Sequence, residues 1–131
     1  MTVEVSAELA RERGLEHLGW ATIVSARSAI EARVMVTPRL RPLRLDGRWV
    51  HQIGLPWHWG QNGISRGDAA NELVEIALDP NSHIQDKVGT CDVIPGRRPR
   101  GRDLVEFVAE YRRRAGLPAD DTVPTTQGGT A

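Results

Sequence analysis

The sequence predicts a mainly β domain with short helices, a small barrel or sandwich. Three observations carry that prediction. Ala32, Val34 and Val36 alternate with Glu31, Arg33 and Met35, the period of two expected of a half-buried strand. Short apolar runs recur through the first half and are separated by Gly, Pro, Asp and Ser turn residues. One short helical pattern sits among those strands, which is not the strand–helix alternation of a doubly wound fold, and neither GxGxxG nor a Walker sequence occurs.

Composition narrows the class. A chain of 131 residues is one domain at most. Hydrophobic residues make up 40% and charged residues 26%, which fits a globular protein. The formal net charge is zero, so nothing in the overall balance argues for nucleic acid or an anionic membrane as partner. Cys91 is alone, which rules out an internal disulfide and a cysteine metal cluster within these residues. No apolar run approaches the roughly 18 residues of a membrane span. Met1–Val5 lacks the basic and apolar regions of a signal peptide. The expectation is a cytoplasmic chain without membrane insertion, unless a partner complex is periplasmic or membrane-associated.

The elements follow in order. Thr2–Val5 is a short strand. Ser6 is an N-cap, its hydroxyl placed to accept a free backbone N–H of the first turn. Ala7–Arg13 are helix formers with Glu8 early and arginines late, and Gly14 suits the left-handed residue that ends a helix. His17 in the next turn is a surface residue. Trp20–Ser25 and Ile30–Thr37 are strands joined by a hairpin, with Pro38 as terminator. Arg39–Leu45 alternates Arg or Pro with Leu, and is expected to be an edge strand with leucines inward and arginines outward. Those arginines read either as a phosphate-binding row or, more simply, as a solvated face. Asp46-Gly47 signals a hairpin turn, and Arg48–Ile53 is its return strand.

Gly54-Leu55-Pro56-Trp57-His58-Trp59-Gly60 then holds two of the four tryptophans. Gly and Pro keep it out of a helix, so it is a rigid loop, suited to a flat polar ligand or to plugging a small core. Gln61–Asp68 is polar and glycine-rich, a loop whose backbone N–H groups can approach a ligand closely. Asp68 is expected to cap a short helix over Ala69–Val74, in which Asn71 has poor propensity. Asp79-Pro80-Asn81-Ser82 is a turn, and Val88–Ile94 a last strand with Cys91 in it or beside it. His51, His58 and His83 with Asp68, Asp79 and Asp86 lack metal-site spacing. Cys91 beside Asp92 has no activating neighbour.

The ordered set of these pieces resembles a known family. Val3-Glu4-Val5-Ser6 leads into Leu9-Ala10 and Gly14-Leu15; Val36-Thr37-Pro38-Arg39 precedes Pro42-Leu43; Gly47 precedes Val50-His51. Gly54-Leu55-Pro56, His58-Trp59-Gly60, Gly67, Ala70-Asn71-Glu72-Leu73, Asp79-Pro80-Asn81-Ser82 and Lys87 complete the order. From Val3 to Val93 this is similar to the C-terminal molybdopterin-dinucleotide-binding domain of molybdenum and tungsten oxidoreductases, with formate dehydrogenase major (alpha) subunits the nearest in pattern.

That resemblance implies a six-stranded double-psi β-barrel over residues 1–95, without the first strand that the family carries before Val3. It implies a cap over a bis(molybdopterin guanine dinucleotide) cofactor. The cofactor-binding residues would be His58, Trp59 and Gly60 in the loop, Asn71 in the short helix, and Asn81, Ser82 and Lys87 in the polar segment. An amide offers a donor and an acceptor together, as pterin and guanine edges require. The family's iron–sulfur site and its cysteine or selenocysteine metal ligand lie N-terminal to this domain, and Cys91 is at the wrong end to replace the latter. The first hairpin also departs from the family, with Ser28 rather than Gly after Arg27. The implied function is cofactor holding for formate oxidation to CO2, in a fragment or separate subunit that is inactive alone. Its partner would be the catalytic portion of a formate dehydrogenase-like subunit on another chain.

Beyond this stretch, 96–117 comprises a basic segment, Gly96–Arg102, and an amphipathic helix opened by Asp103. Leu104, Phe107 or Val108, and Tyr111 form its apolar stripe, and Gly116 and Pro118 stop it. This extension either packs on its own domain or a neighbouring subunit, or makes the chain a standalone binding or assembly module for a protein or nucleic acid. Residues 118–131 are expected to be a disordered tail.

Overall fold

The computed structural model describes residues 1–57, 66–75, 78–85 and 87–118. Five strands form one curled sheet in the order β6-β1-β3-β2-β7, a half-barrel with two short helices. They are β1 (Thr2–Val5), β2 (Trp20–Val24), β3 (Ala29–Val36), β6 (Ile53–Gly54) and β7 (Asp92–Pro95). β1 runs parallel to β3, with Val3 opposite Val34, while β2 pairs antiparallel with both β3 and β7. The alternation read in β3 places Ala32 and Val34 in the core with Val3, Val5, Ile23 and Ile30. Burial of such branched side chains against one another is the main favourable contribution to this fold.

Helix α1 (Ala7–Arg13) follows the local sequence rules. Ser6 Oγ accepts the Leu9 N–H at 3.1 Å, and Gly14 closes the helix at φ 66°. Leu9 and Ala10 face the core. His17 is exposed, as expected, and its Nδ1 accepts the N–H of Val36, the last residue of β3 in register with β1, at 3.1 Å.

Several boundaries differ from expectation. The Arg39–Leu45 edge strand with inward leucines is not formed. Only Leu43–Leu45 is extended (β4), and it pairs with Arg48–Val50 (β5) in a separate two-stranded sheet. Asp46 and Gly47 make the turn, both at positive φ, as the hairpin signal requires. Leu43, Leu45, Trp49 and Val50 are all exposed, because this hairpin pairs with no strand of the five-stranded sheet. Pro38 and Pro42 interrupt the ladder that a longer edge strand would need. The return strand is likewise split: β5 ends at Val50, and Ile53 resumes pairing against Val5 of β1. The last strand is shorter than Val88–Ile94, since β2 offers β7 only the partners Ala21–Val24.

Helix α2 (Arg102–Arg114) has its apolar stripe half-buried and ends before Gly116, which has φ 72°. Arg112 is buried and donates to the Ala26 carbonyl at 2.8 Å and to the Pro118 carbonyl at 2.6 Å, fastening the helix to the β2–β3 turn. The expected tail beyond Pro118 lies outside the described residues. Among the described residues no helix is long and apolar enough to cross a membrane.

Ser6→Ala removes the cap of α1 and is expected to destabilise the chain by about 1 kcal/mol in urea titrations. A midpoint identical to the wild type would mean that the cap is dispensable.

Candidate functional site

Of the residues expected to hold a cofactor, His58, Trp59 and Gly60 lie outside the described residues, as do Gln61–Ser65. The structure describes Asn71, Asn81, Ser82 and Lys87, and links the segments that carry them. Asn71 lies in a single 3-10 turn, Ala70–Leu73, and is exposed. Its side-chain amide makes no hydrogen bond among the described residues. Just past that turn, the Val74 carbonyl accepts the Arg27 guanidinium from the β2–β3 turn. The next carbonyl, of Glu75, accepts the Gln85 side-chain amide at 2.6 Å. Gln85 also bridges to Leu78, closing the turn that contains Asn81 and Ser82. Two residues further on, Lys87 Nζ stands 5.7 Å from the Trp57 ring centroid, at the edge of the loop motif.

The Asp79–Ile84 turn separates committed groups from available ones. Asp79 Oδ1 accepts the Asn81 N–H at 3.0 Å, the Ser82 N–H at 2.6 Å and the Ser82 hydroxyl at 2.8 Å. The Ser82 N–H and hydroxyl, then the Asn81 N–H, hold the Asp79 carboxyl below its ordinary value. Ser82 therefore spends its hydroxyl proton on the turn. The Asn81 side-chain amide is exposed and makes no hydrogen bond among the described residues. Asn71 and Asn81 are thus the two predicted amides left able to give and take a hydrogen bond, which fits a pterin or guanine edge.

Asp68 does not cap a helix. The 3-10 turn has Ala69 at its N-terminal boundary and no side-chain cap. The Asp68 carboxylate instead accepts the Glu31 N–H at 2.9 Å and a two-pronged bond from Arg98, 2.6 Å to Nε and 2.9 Å to Nη2. Long-range partners win because a bidentate guanidinium pair together with a backbone N–H outweighs a single cap bond to the same carboxylate. Glu31, expected to face outward like Arg33 and Met35, is buried. Arg97, at 2.7 Å, and Arg100, at 3.0 Å, bind its carboxylate, which also accepts the Arg98 N–H at 3.2 Å. Arg33 and Arg97 both stack over the Trp20 ring, at 4.1 and 4.3 Å from its centroid. Sequence reading missed this cluster; its signal was the acidic Glu31 among apolar strand neighbours and a compact Arg-rich segment downstream.

Two further groups bear on chemistry. His51 Nε2 lies 2.8 Å from Glu12 Oε2, and its buried Nδ1 has no hydrogen-bond partner among the described residues. Cys91 stands immediately before β7 and is exposed by its surface, yet its thiol is desolvated enough that burial, with Asp92 beside it, pushes its pKa up to about 11. It is therefore a protonated thiol at neutral pH. Among the described residues no three His, Cys, Asp or Glu side chains gather as metal ligands.

Comparison with known proteins gives one family match, described as Molydopterin dinucleotide binding domain, over residues 1–89. The alpha subunit of formate dehydrogenase from Megalodesulfovibrio gigas is 39% identical over 88 residues, 64% of this chain and 8% of that protein. Formate dehydrogenase 2 subunit alpha (cytochrome c-553) from Nitratidesulfovibrio vulgaris Hildenborough is 39% identical over 82 residues, 63% of this chain and 8% of that protein. The nitrate-inducible formate dehydrogenase major subunit of Escherichia coli K12 is 41% identical over 81 residues, 61% and 8% respectively. The chain thus spans about 8% of the length of these relatives.

The ion-pair cluster makes stability depend on pH. The Arg97 side-chain bond, against the opposing effect of burial and helped by Arg100 and the Arg98 N–H, holds the Glu31 carboxyl below its ordinary value. Burial alone would raise the Asp68 carboxyl, but Arg98 and the Glu31 N–H outweigh it and leave it lowered. A lowered carboxyl contributes stability that is present above its unfolded pKa, about 4, and is lost as pH falls through its folded value. Stability measured by urea denaturation is therefore expected to fall more steeply below about pH 4 in the wild type than in the double variant Glu31→Gln, Asp68→Asn. Equal acid slopes would show that the cluster has no role in acid sensitivity.

Proposed function

We propose, because this chain belongs to the molybdopterin dinucleotide binding domain family, that it is the cofactor-holding cap of a formate dehydrogenase-like oxidoreductase. Its cofactor is molybdopterin guanine dinucleotide. In this reading the curled sheet is the greater part of a six-stranded double-psi barrel. The catalytic portion lies outside these 131 residues, in keeping with the small fraction of the relatives' length that they represent. When bound, the cofactor supplies the two-electron redox chemistry of formate oxidation, with molybdenum or tungsten as its metal.

The contribution of this chain is binding and orientation. The observation that carries the reading is the exposed amide of Asn71, without a hydrogen-bond partner among the described residues, on a turn anchored by Asp68 before it and by the Val74 and Glu75 carbonyls after it. Asn81 adds a second amide, and Lys87 a cation suited to a phosphate or a polar ring edge. Ser82 supports the site by shaping the Asn81 turn. His58, Trp59 and Gly60 complete the proposed set on family resemblance alone. The alternative of a basic tail seeking nucleic acid is weakened because Arg97, Arg98 and Arg100 are already paired with Glu31 and Asp68.

Asn71→Ala, co-expressed with the catalytic portion, is expected to lower bound molybdenum or tungsten and pterin severalfold after gel filtration, with formate oxidation falling in parallel. Loss of one recognition bond to a buried ligand edge has that order of effect, about 1–2 kcal/mol. Unchanged metal and pterin content would refute the assignment of Asn71.

A further inference from the structure

The segment 96–100 lies beyond the family match, which ends at residue 89, yet it reaches back to the strand and the turn that bound the proposed site. Its central contact is a closed cycle of three residues. The Glu31 N–H donates to the Asp68 carboxylate, the Arg98 guanidinium donates to the same carboxylate, and the Arg98 N–H donates to the Glu31 carboxylate. The Arg98 and Asp68 side chains are 16% and 15% exposed, so their bidentate pair is largely shielded from solvent.

This cycle acts on a turn that has no cap of its own. Gly67, at φ 130°, brings the chain into Asp68 through a backbone region that side chains disfavour. Ala69 and Ala70 follow and are buried, and Asn71 is the first exposed residue after them. Once Asp68 is fixed, few backbone torsions separate it from the Asn71 side chain. If Asp68 were released, the turn would still be held after Asn71 through the Val74 and Glu75 carbonyls, but on its N-terminal side it would keep only the buried contacts of Ala69 and Ala70 and the bond from the Glu72 N–H to the Ala69 carbonyl.

We propose that Arg98 is a positioning residue for the cofactor site: by clamping Asp68 it holds the 3-10 turn that presents the Asn71 amide. This rests on the cofactor-cap reading above. The C-terminal basic segment is then a strap on the binding site. Arg is needed because its planar fork engages both carboxylate oxygens, which a lysine ammonium cannot reproduce.

Hydrogen exchange on the full chain tests the clamp without any cofactor. Arg98→Gln is expected to speed exchange of the backbone amides at residues 69–73 by about tenfold or more while β1 and β3 stay protected, with Arg98→Lys between it and the wild type. Unchanged exchange at 69–73 in both variants would overturn the proposal. If Arg98→Gln does not fold, the comparison of Arg98→Lys with wild type carries the test alone. In the complex with the catalytic portion, Arg98→Gln is expected to lose pterin on dialysis, and adding Asn71→Ala to it should cost no further retention. Normal retention in Arg98→Gln, where Asn71→Ala alone lowers it, would overturn the positioning role. If Asn71→Ala itself retains pterin normally, the cofactor reading fails and this inference fails with it; the exchange data still report separately whether Arg98 clamps the turn.

Discussion

Glu31 sets the constraint on which much of this structure depends. It is a buried carboxylate on β3, the longest strand of the sheet, between β1 and β2. A charge in that place is unfavourable unless it is paired and hydrogen-bonded. Two guanidinium groups and a backbone N–H supply the pairing, and all come from residues 97–100. Those residues can return because β7 ends at Pro95 and is followed by Gly96 at φ 100°, which turns the chain back across Trp20 and β3. The Gly96 N–H closes this turn on the Trp20 carbonyl at 2.8 Å, and the Thr22 hydroxyl donates to the Gly96 carbonyl at 3.0 Å. Sheet and basic segment are therefore one packing unit, not a domain with a loose charged extension.

The same pairing reaches the candidate site through Asp68. The site segments are held at both ends by groups that are not themselves offered to a ligand. Asp68 and Arg98 hold the start of the 3-10 turn, and Arg27 and Gln85 hold the carbonyls that follow it. Asp79 holds the Asn81–Ser82 backbone. This leaves the Asn71 and Asn81 amides outward while the Asp68–Arg98 pair is shielded, an arrangement that presents a fixed pattern of donors and acceptors. Preorganisation of that kind lowers the ordering cost of binding.

What was legible in the sequence was mostly local. Ser6, Gly14 and Asp46-Gly47 act on neighbours within a few residues, and each does what its residue type dictates. The β3 alternation correctly gave the core face, Ala32 and Val34. It could not give the burial of Glu31, because periodicity says which face a residue occupies and not what later covers that face. Asp68 shows the same limit. Its position before a short helical pattern matched a cap, but its partners are 37 and 30 residues away in sequence and bind more strongly than a cap would. The leucines of Arg39–Leu45 matched an edge strand by spacing, yet two prolines limit the ladder to three residues. Asn71, Asn81 and Lys87 became candidates through the order of motifs rather than through any single pattern, since an exposed amide on a turn has no periodic signature.

The charge arrangement also bears on specificity under the proposed function. A row of free arginines would bind any dinucleotide phosphate about equally well, since phosphate contacts carry no information about the base. Amides behave differently. A guanine or pterin edge that matches their donor and acceptor satisfies both, whereas a mismatched edge leaves a desolvated amide unpaired, which is the larger penalty. Arg97, Arg98 and Arg100 are paired with Glu31 and Asp68, so their charges are already partly satisfied within the chain. Under the proposed function these ion pairs would do two things at once: the shielded Arg98–Asp68 pair would fix the turn, and the amides would be left to tell one ring edge from another.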